Sequence, residues 1–483
     1  MSDRDFYPHG QCWLWVSQAL VALIIFSGLS VSTLAEPQAG VDFPHGAITD
    51  KVLCQADPTQ SYALYLPSAY TPQRNWPILY SFDPGGRGEH PVELFKDAAE
   101  KYGWIVVGSY NSRNGPGVPL NDIVMALWRD THERFAIDER RVYTAGMSGG
   151  ARVASSVAIG MRDRVAGVVA CGAGFPYKET PTREMHFAYF ALAGIEDFNL
   201  IELRQLEEGL TKANIANQLL TFEGDHAWPS KSLLEEAVAW HEVMAFQMKR
   251  RPPDAVTLNA LYEQGMERAR ALEAAARPYE AFIRYRMLAR SFQGLRSTDE
   301  ADARLRELQN AKVVQEQINQ LKAADRQQES RWRELINVTQ GVKSADTQMQ
   351  ALVDGKNLAA RLRKQAEAIV PSTDRIVARR LLGLFSVTVS EEASGEMYRK
   401  NFGVAAALLT LAVELRPNNP QALYRLAAAQ AQSGQKRMAL DALTRAVAGG
   451  FNDVSRLEQS EEFASLRQEQ AFKALIEKLK SKQ

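Results

Sequence analysis

Cysteine is scarce: three residues in 483, at positions 12, 54 and 171. A scaffold held together by several disulfides is therefore excluded. An excess of charge of either sign is also missing. Lys+Arg and Asp+Glu both number 57, and this balance gives no support for nucleic-acid binding, which needs a basic face. After the first 35 residues no apolar run is long enough to cross a bilayer, so membrane attachment is expected only through the N-terminal segment. Histidine is limited to seven residues, none in a metal-ligand spacing such as His-x-x-x-His, and neither a metal nor a cofactor is expected. What is present is apolar mass. Hydrophobic residues make up 46% of the chain, enough for real cores, and the length suits two or three domains.

Residues 13–31 form an apolar run that ends in Ser32, Thr33, Leu34 and Ala35, followed by Glu36 and Pro37. Thr33 and Ala35 place small residues where signal peptidase needs them, so residues 1–35 are expected to be a cleaved signal peptide. Ser17, Gln18, Ser27 and Gly28 interrupt the run and argue against a permanent anchor, the alternative fate. The mature chain would then be periplasmic or secreted. Cys12 would leave with the leader. Cys54 and Cys171 remain, to be read either as one disulfide or as two buried thiols.

From residue 56 to about 251 short β-rich runs alternate with helical stretches, which places the first domain at 36–251. Residues 62–66 alternate and stop at Pro67, an early antiparallel strand. Apolar runs at 77–82 and 104–107 read as strands buried on both faces, and 141–145, 165–170, 187–193 and 218–222 as further strands. Helical spacing fills the gaps, as at Ile123, Val124, Leu127 and Trp128. Such alternation predicts an α/β domain with a doubly wound, mostly parallel sheet. Arg250, Arg251, Pro252 and Pro253 break the pattern, and almost no strand follows. Residues 252–380 read as a helical linker region, with polar, elongated helices over 312–365. Residues 381–483 form an all-α region resembling tetratricopeptide repeats. Its clearest unit is 420–453, with Leu426 and Ala427, then Gly434 at the turn, then Ala439, Leu443 and Ala446. The preceding match has a poor first helix over 386–396.

One short stretch organises the first domain. Gly146, Ser148 and Gly150 spell Gly-x-Ser-x-Gly between a buried strand and a small-residue helix. That context suits a nucleophile elbow, in which a serine projects from a tight turn at the strand end. A serine hydroxyl needs a base, and the base needs an orienting acid. His226 alone among the histidines follows the final strand, on a loop after Gly224 and before Trp228–Pro229. Asp197, just beyond the strand that ends at Ala193, is the leading acid, with Glu196 and Asp225 as competitors. Gly149 is expected to give one oxyanion donor. Pro84 has no N–H, so Gly85 or Gly86 should give the second, with Gly86 preferred. Arg87, Arg113 and Arg152 lie near these loops, either as structural salt bridges or as a site for an anionic substrate. Arg113 and Trp228 are the expected substrate-binding side chains.

Residues from about 55 to 248 resemble an α/β-hydrolase of the polyhydroxybutyrate-depolymerase, feruloyl-esterase and predicted-esterase kind. The resemblance rests on Tyr65-Leu66-Pro67, Gly85-Gly86, the elbow, Asp197 and Asp225-His226-Ala227-Trp228-Pro229. It implies Ser148, Asp197 and His226 as nucleophile, acid and base. Relatives usually carry His-Gly where this chain has Asp83-Pro84, which implies an oxyanion loop of a different shape. The resulting expectation is an exported serine hydrolase acting on a small or polymeric carboxylic ester, with the helical repeats available to a protein partner. The alternatives are a peptidase or acyltransferase with the same triad, or an inactive scaffold whose repeats bind.

Overall fold

A computed structural model describes residues 42–369 and 372–481. The expected signal peptide, with its cleavage point, lies outside the described residues. The described chain forms two compact units that divide after Lys322.

The first unit is built on eight strands: β1 (Ile48–Leu53), β2 (Ser61–Tyr65), β3 (Trp76–Phe82), β4 (Ile105–Ser109), β5 (Ile137–Met147), β6 (Val165–Cys171), β7 (Ala188–Gly194) and β8 (Asn217–Phe222). Their order in the sheet is β1-β2-β4-β3-β5-β6-β7-β8. The β1–β2 and β2–β4 pairs are antiparallel, and every later pair is parallel. The parallel strands β3, β4, β6 and β7 are buried along their whole length, as their unbroken apolar runs require.

Helices cover both faces. On one side lie α1 (Glu89–Tyr102) and α5 (Lys231–Gln247), on the other α2 (Leu120–Arg134), α3 (Gly149–Gly160) and α4 (Leu200–Lys212). Phe95, Trp104 and Phe190 fill the first core, and Ile78, Ile105 and Leu203 the second. Each such side chain contributes about 1.5–3 kcal/mol by leaving water. Helix α1 stops where Gly103 turns left-handed at φ 70°.

Three further helices belong to this unit: α6 (Ala255–Ala274), α7 (Pro278–Ser291) and α8 (Asp299–Asn310). Their apolar stripes, including Tyr262, Met266, Phe282 and Leu288, join the core on the α1–α5 side. Trp240 of α5 donates to Ser291 Oγ at 2.8 Å, and Arg284 of α7 meets Glu236 of α5 at 3.1 and 3.2 Å. Residues 255–310, read from sequence as part of a linker, thus carry a buried interface with the sheet domain. The Arg284–Glu236 pair is 7% and 6% exposed. Arg284→Met leaves that carboxylate buried without its cation and is expected to cost about 3–5 kcal/mol, read as a lower urea midpoint; adding Glu236→Leu should recover most of it.

Cys54 and Cys171 are both buried and free. Of the two readings left open, the geometry selects buried thiols. β1, which leads into Cys54, and β6, which ends at Cys171, are five strand spacings apart, roughly 24 Å. A disulfide needs its Cα atoms within about 7 Å. Burial pushes both thiols to higher pKa, Cys54 to about 12.

Helix α9 (Lys312–Lys343) runs from the first unit into the second. The second unit is all helical: the rest of α9, then α10 (Gln348–Ala366), α11 (Thr373–Tyr398), α12 (Phe402–Leu415), α13 (Pro420–Gln432), α14 (Lys436–Ala448), α15 (Val454–Gln459) and α16 (Gln470–Lys480). α13 and α14 pack as a helix pair. Leu426, Ala427, Ala439, Leu443 and Ala446 are buried, and Gly434 makes the turn at φ 80°. Asn419 caps α13 by accepting from Ala422 N at 3.0 Å. Residues 386–396, expected to be a poor helix, sit inside the unbroken α11. Tertiary burial overrides weak propensity there. Val389 and Ala393 face the core, and the buried Glu392 and Glu396 are matched by Lys343. Among the described residues no helix is long and apolar enough to cross a membrane.

Candidate active site

Ser148 lies between the carboxyl end of β5 and the first turn of α3, at φ 55° and ψ −120°. An L-residue avoids this backbone region, and such strain persists only where the surroundings impose it. They do so from both neighbouring strands. Ser148 N–H donates to Cys171 O of β6 at 2.8 Å. On the other side Gly150 presses on β3, where a Cβ would stand 2.0 Å from Phe82 O. No side chain fits at Gly150, which explains the last glycine of the motif.

Asp197 is fully buried in the turn between β7 and α4. Its Oδ1 accepts from Asn199 N at 2.8 Å. Asn199 in turn donates its side chain to Gly172 O at 2.7 Å, tying the turn to the end of β6. The loop after β8 is bound to the same turn. Ile195 N donates to Phe222 O at 2.8 Å and Glu196 N to Gly224 O at 2.9 Å. These bonds bring His226 over the sheet edge.

His226 Nε2 stands 2.8 Å from Ser148 Oγ, and Nδ1 stands 3.0 Å from each oxygen of Asp197. The imidazole is mostly buried, and the Phe198 ring lies 4.2 Å from it, tilted 32°. With an ionised carboxylate on Nδ1, that nitrogen carries the proton and Nε2 is left as the acceptor facing the hydroxyl. The three residues chosen from sequence therefore meet. Of the competing acids, Asp225 is exposed and Glu196 half-buried, and both oxygens facing Nδ1 are Asp197's.

Gly172, at φ 65°, is a site residue that sequence reasoning missed. A Cβ there would lie 2.9 Å from Met147 Cε, 3.0 Å from Asp197 Oδ2 and 3.1 Å from His226 Cε1. Gly172→Ala is expected to cost about 1–2 kcal/mol in backbone strain. By displacing the imidazole it should also lower any activity that depends on the Ser148–His226 contact by about 10- to 100-fold. Urea unfolding and steady-state kinetics of the same preparation check the two effects.

The loop after β3 is organised by Asp83, which is 1% exposed. Its Oδ1 accepts from Gly85 N at 2.8 Å and Arg87 Nε at 2.9 Å; its Oδ2 accepts from Arg87 Nη2 at 2.8 Å and Trp228 Nε1 at 2.9 Å. Burial alone would raise its pKa, but these donors outweigh burial and hold it below the ordinary carboxylate value. Gly86 N–H donates to Asp83 O at 3.0 Å. The N–H groups of Gly85 and Gly86, the two candidates for a second oxyanion donor, are thus both engaged by Asp83. Gly149 opens α3, where first-turn N–H groups have no intrahelical acceptor.

Trp228, expected at the substrate, points its N–H at Asp83 and packs edge-on against Phe95. Arg87 pairs with Asp83. Arg152 forms a two-pronged pair with Glu202, at 2.8 and 2.7 Å, and also donates to Phe175 O. Both follow the salt-bridge reading. Arg113 is exposed, and its backbone bridges to Gly85. Among the described residues no group of three or more His, Cys, Asp or Glu side chains converges as a metal site would require.

No protein-family model matches the chain, and no curated protein matches it. Solved structures do match. FphF, a fluorophosphonate-binding serine hydrolase of Staphylococcus aureus, is 13% identical over 38% of this chain and 92% of its own, with a TM-score of 0.32. A ferulic acid esterase is 14% identical over 41% and 98%, at 0.34. Est1E from Butyrivibrio proteoclasticus is 13% identical over 42% and 100%, at 0.32. The fold is α/β: a mostly parallel eight-stranded sheet with two antiparallel edge pairs, helices on both faces and a strand–turn–helix around Ser148, followed by a large all-α region.

Proposed function

We propose that this chain is an exported serine hydrolase that cleaves a carboxylic ester. The observation that supports it is the continuous hydrogen-bonded line from Ser148 Oγ through His226 to Asp197. In this reading Ser148 Oγ attacks the ester carbonyl while His226 Nε2 takes its proton. The oxygen of the tetrahedral intermediate is held by Gly149 N–H. His226 then hands the proton to the leaving alkoxide, and an acyl-enzyme remains on Ser148. Water, deprotonated by the same nitrogen, releases the acid and restores the serine. Asp197 keeps the proton on Nδ1 and offsets the charge of the imidazolium. Arg113, exposed beside the oxyanion loop, is assigned to the substrate.

Export to the periplasm or the outside rests on the apolar run at 13–31 and the small residues at 33 and 35. The second unit is assigned to a protein partner, because stacked helix pairs such as α13–α14 offer extended surfaces for binding. A fluorophosphonate probe is the direct test. The full chain should be labelled and Ser148→Ala should not, and p-nitrophenyl esters should be turned over only by the former. An unlabelled, inactive parent would leave the inactive scaffold as the better reading.

A further inference from the structure

The hydrolase reading leaves the oxyanion with one identified donor. In this chain the usual source of a second has been closed. The carboxylate of Asp83 is already bonded to Gly85 N–H, and Asp83 O to Gly86 N–H. Asp83 is buried, held ionised by Arg87 and Trp228, and folded back over its own loop. Freeing Gly85 N–H would break a charge-assisted hydrogen bond, among the stronger kinds.

A different polar group occupies the place next to Gly149. The loop after β4 carries Asn114, whose backbone N–H donates to Pro84 O at 2.8 Å and is thereby pinned to the oxyanion loop. The adjacent Gly85–Arg113 bridge fixes the same register. The side-chain amide of Asn114 lies directly over Gly149. A Cβ placed on that glycine would be 1.9 Å from Asn114 Oδ1 and 2.8 Å from Nδ2. A Cβ on residue 149 would displace the amide from this position, so the glycine after the nucleophile leaves room for it. A half-turn about the Cβ–Cγ bond exchanges Oδ1 and Nδ2 at little cost. The amide can then present N–H to an anion forming against Gly149 N–H.

We propose that Asn114 Nδ2 is the second oxyanion donor, standing in for the backbone N–H groups that Asp83 has engaged. The assignment rests on the serine-hydrolase reading above. In the attack step the carbonyl π bond breaks as the Ser148 Oγ–carbon bond forms. The electron pair moves to the carbonyl oxygen, which accepts from Gly149 N–H and Asn114 Nδ2–H. When the intermediate collapses, the pair returns and the leaving alkoxide departs with the proton from His226. No further reactant is needed.

The test uses the full chain with p-nitrophenyl acetate, measuring kcat and KM separately, and with the fluorophosphonate probe as an independent rate of attack at Ser148. Removing a single oxyanion donor lowers kcat by about 10²- to 10³-fold in enzymes of this logic. Asn114→Ala should show that loss with KM changed only a few-fold, because the donor acts on charge that develops after binding. Asn114→Asp preserves the shape against Gly149 but offers no donor when ionised, and it should lose at least as much. If either variant keeps kcat within about threefold of the parent, the amide is only packing and the proposal is overturned. If the parent itself neither turns over ester nor reacts with the probe, the hydrolase reading falls and takes this proposal with it. The two failures are distinguishable. Asn114 is solvent-exposed, so both variants should unfold at the parent's urea midpoint.

Discussion

Ser148→Ala is expected to lower ester turnover by about 10⁴- to 10⁶-fold while leaving the fold intact. Because the nucleophile and its base act as one unit, His226→Ala should cost a comparable amount. The double variant should be no worse than either alone, since once the attack is lost there is nothing left for the base to assist. The same position carries a second, opposite expectation. At φ 55° and ψ −120° an alanine is as strained as the serine, whereas glycine is not. Ser148→Gly should therefore be as inactive as Ser148→Ala but more stable by about 1–3 kcal/mol, less the added chain entropy that glycine brings to the unfolded state. Parallel urea titrations of the two variants check the ordering. A Ser148→Gly midpoint no higher than that of Ser148→Ala would limit the stored strain to the roughly 0.4–1 kcal/mol that glycine's chain entropy costs.

The second large effect concerns Asp197. Asp197→Asn should reduce kcat by about 10⁴-fold at neutral pH with the melting temperature little changed. The reason lies in how the carboxylate is held. Oδ1 accepts the Asn199 N–H at 2.8 Å, so an amide at position 197 would keep its oxygen there and turn its NH2 toward His226. An NH2 facing Nδ1 forces that nitrogen to be the acceptor and moves the imidazole proton to Nε2, where it points at Ser148 Oγ. The base would then be protonated on the wrong side. Measurement of kcat and melting temperature on the same preparation checks both halves: a loss of less than about tenfold would mean that the carboxylate does not fix the tautomer.

Much of the sheet domain was legible in the sequence because buried parallel strands leave an unmistakable mark. Runs such as Ile78-Leu79-Tyr80 and Val168-Val169-Ala170 have no polar alternation to confuse them with amphipathic helices. Ser148, Asp197 and His226 could be selected because each follows a strand, and chain order then places all three at one edge. What escaped was everything decided by contacts across long separations. The role of Asp83 depends on Trp228, which lies 145 positions away, and only the fold brings that indole N–H to 2.9 Å. The loss of Gly86 as a free donor follows from a turn closed by Asp83 O, and no composition rule predicts it. Helix α11 has poor local propensity over 386–396 and exists because Val389 and Ala393 have a core to enter. Residues 255–310 read as linker because polar residues dominate their exposed sides. Their thin apolar stripes became meaningful only once the α5 side of the sheet was there to receive them.

The turn at Ser148 is gripped from both flanks, by the Cys171 carbonyl of β6 and by the Phe82 carbonyl of β3. Both strands are central to the sheet, so this corner has no private way to loosen: releasing it means parting the middle of the domain. Reactivity at the serine should accordingly behave as a thermometer of the whole fold. In rising denaturant, probe labelling should persist undiminished until the cooperative transition and then vanish with it, without the early, separate inactivation seen where a reactive group sits on a floppy loop.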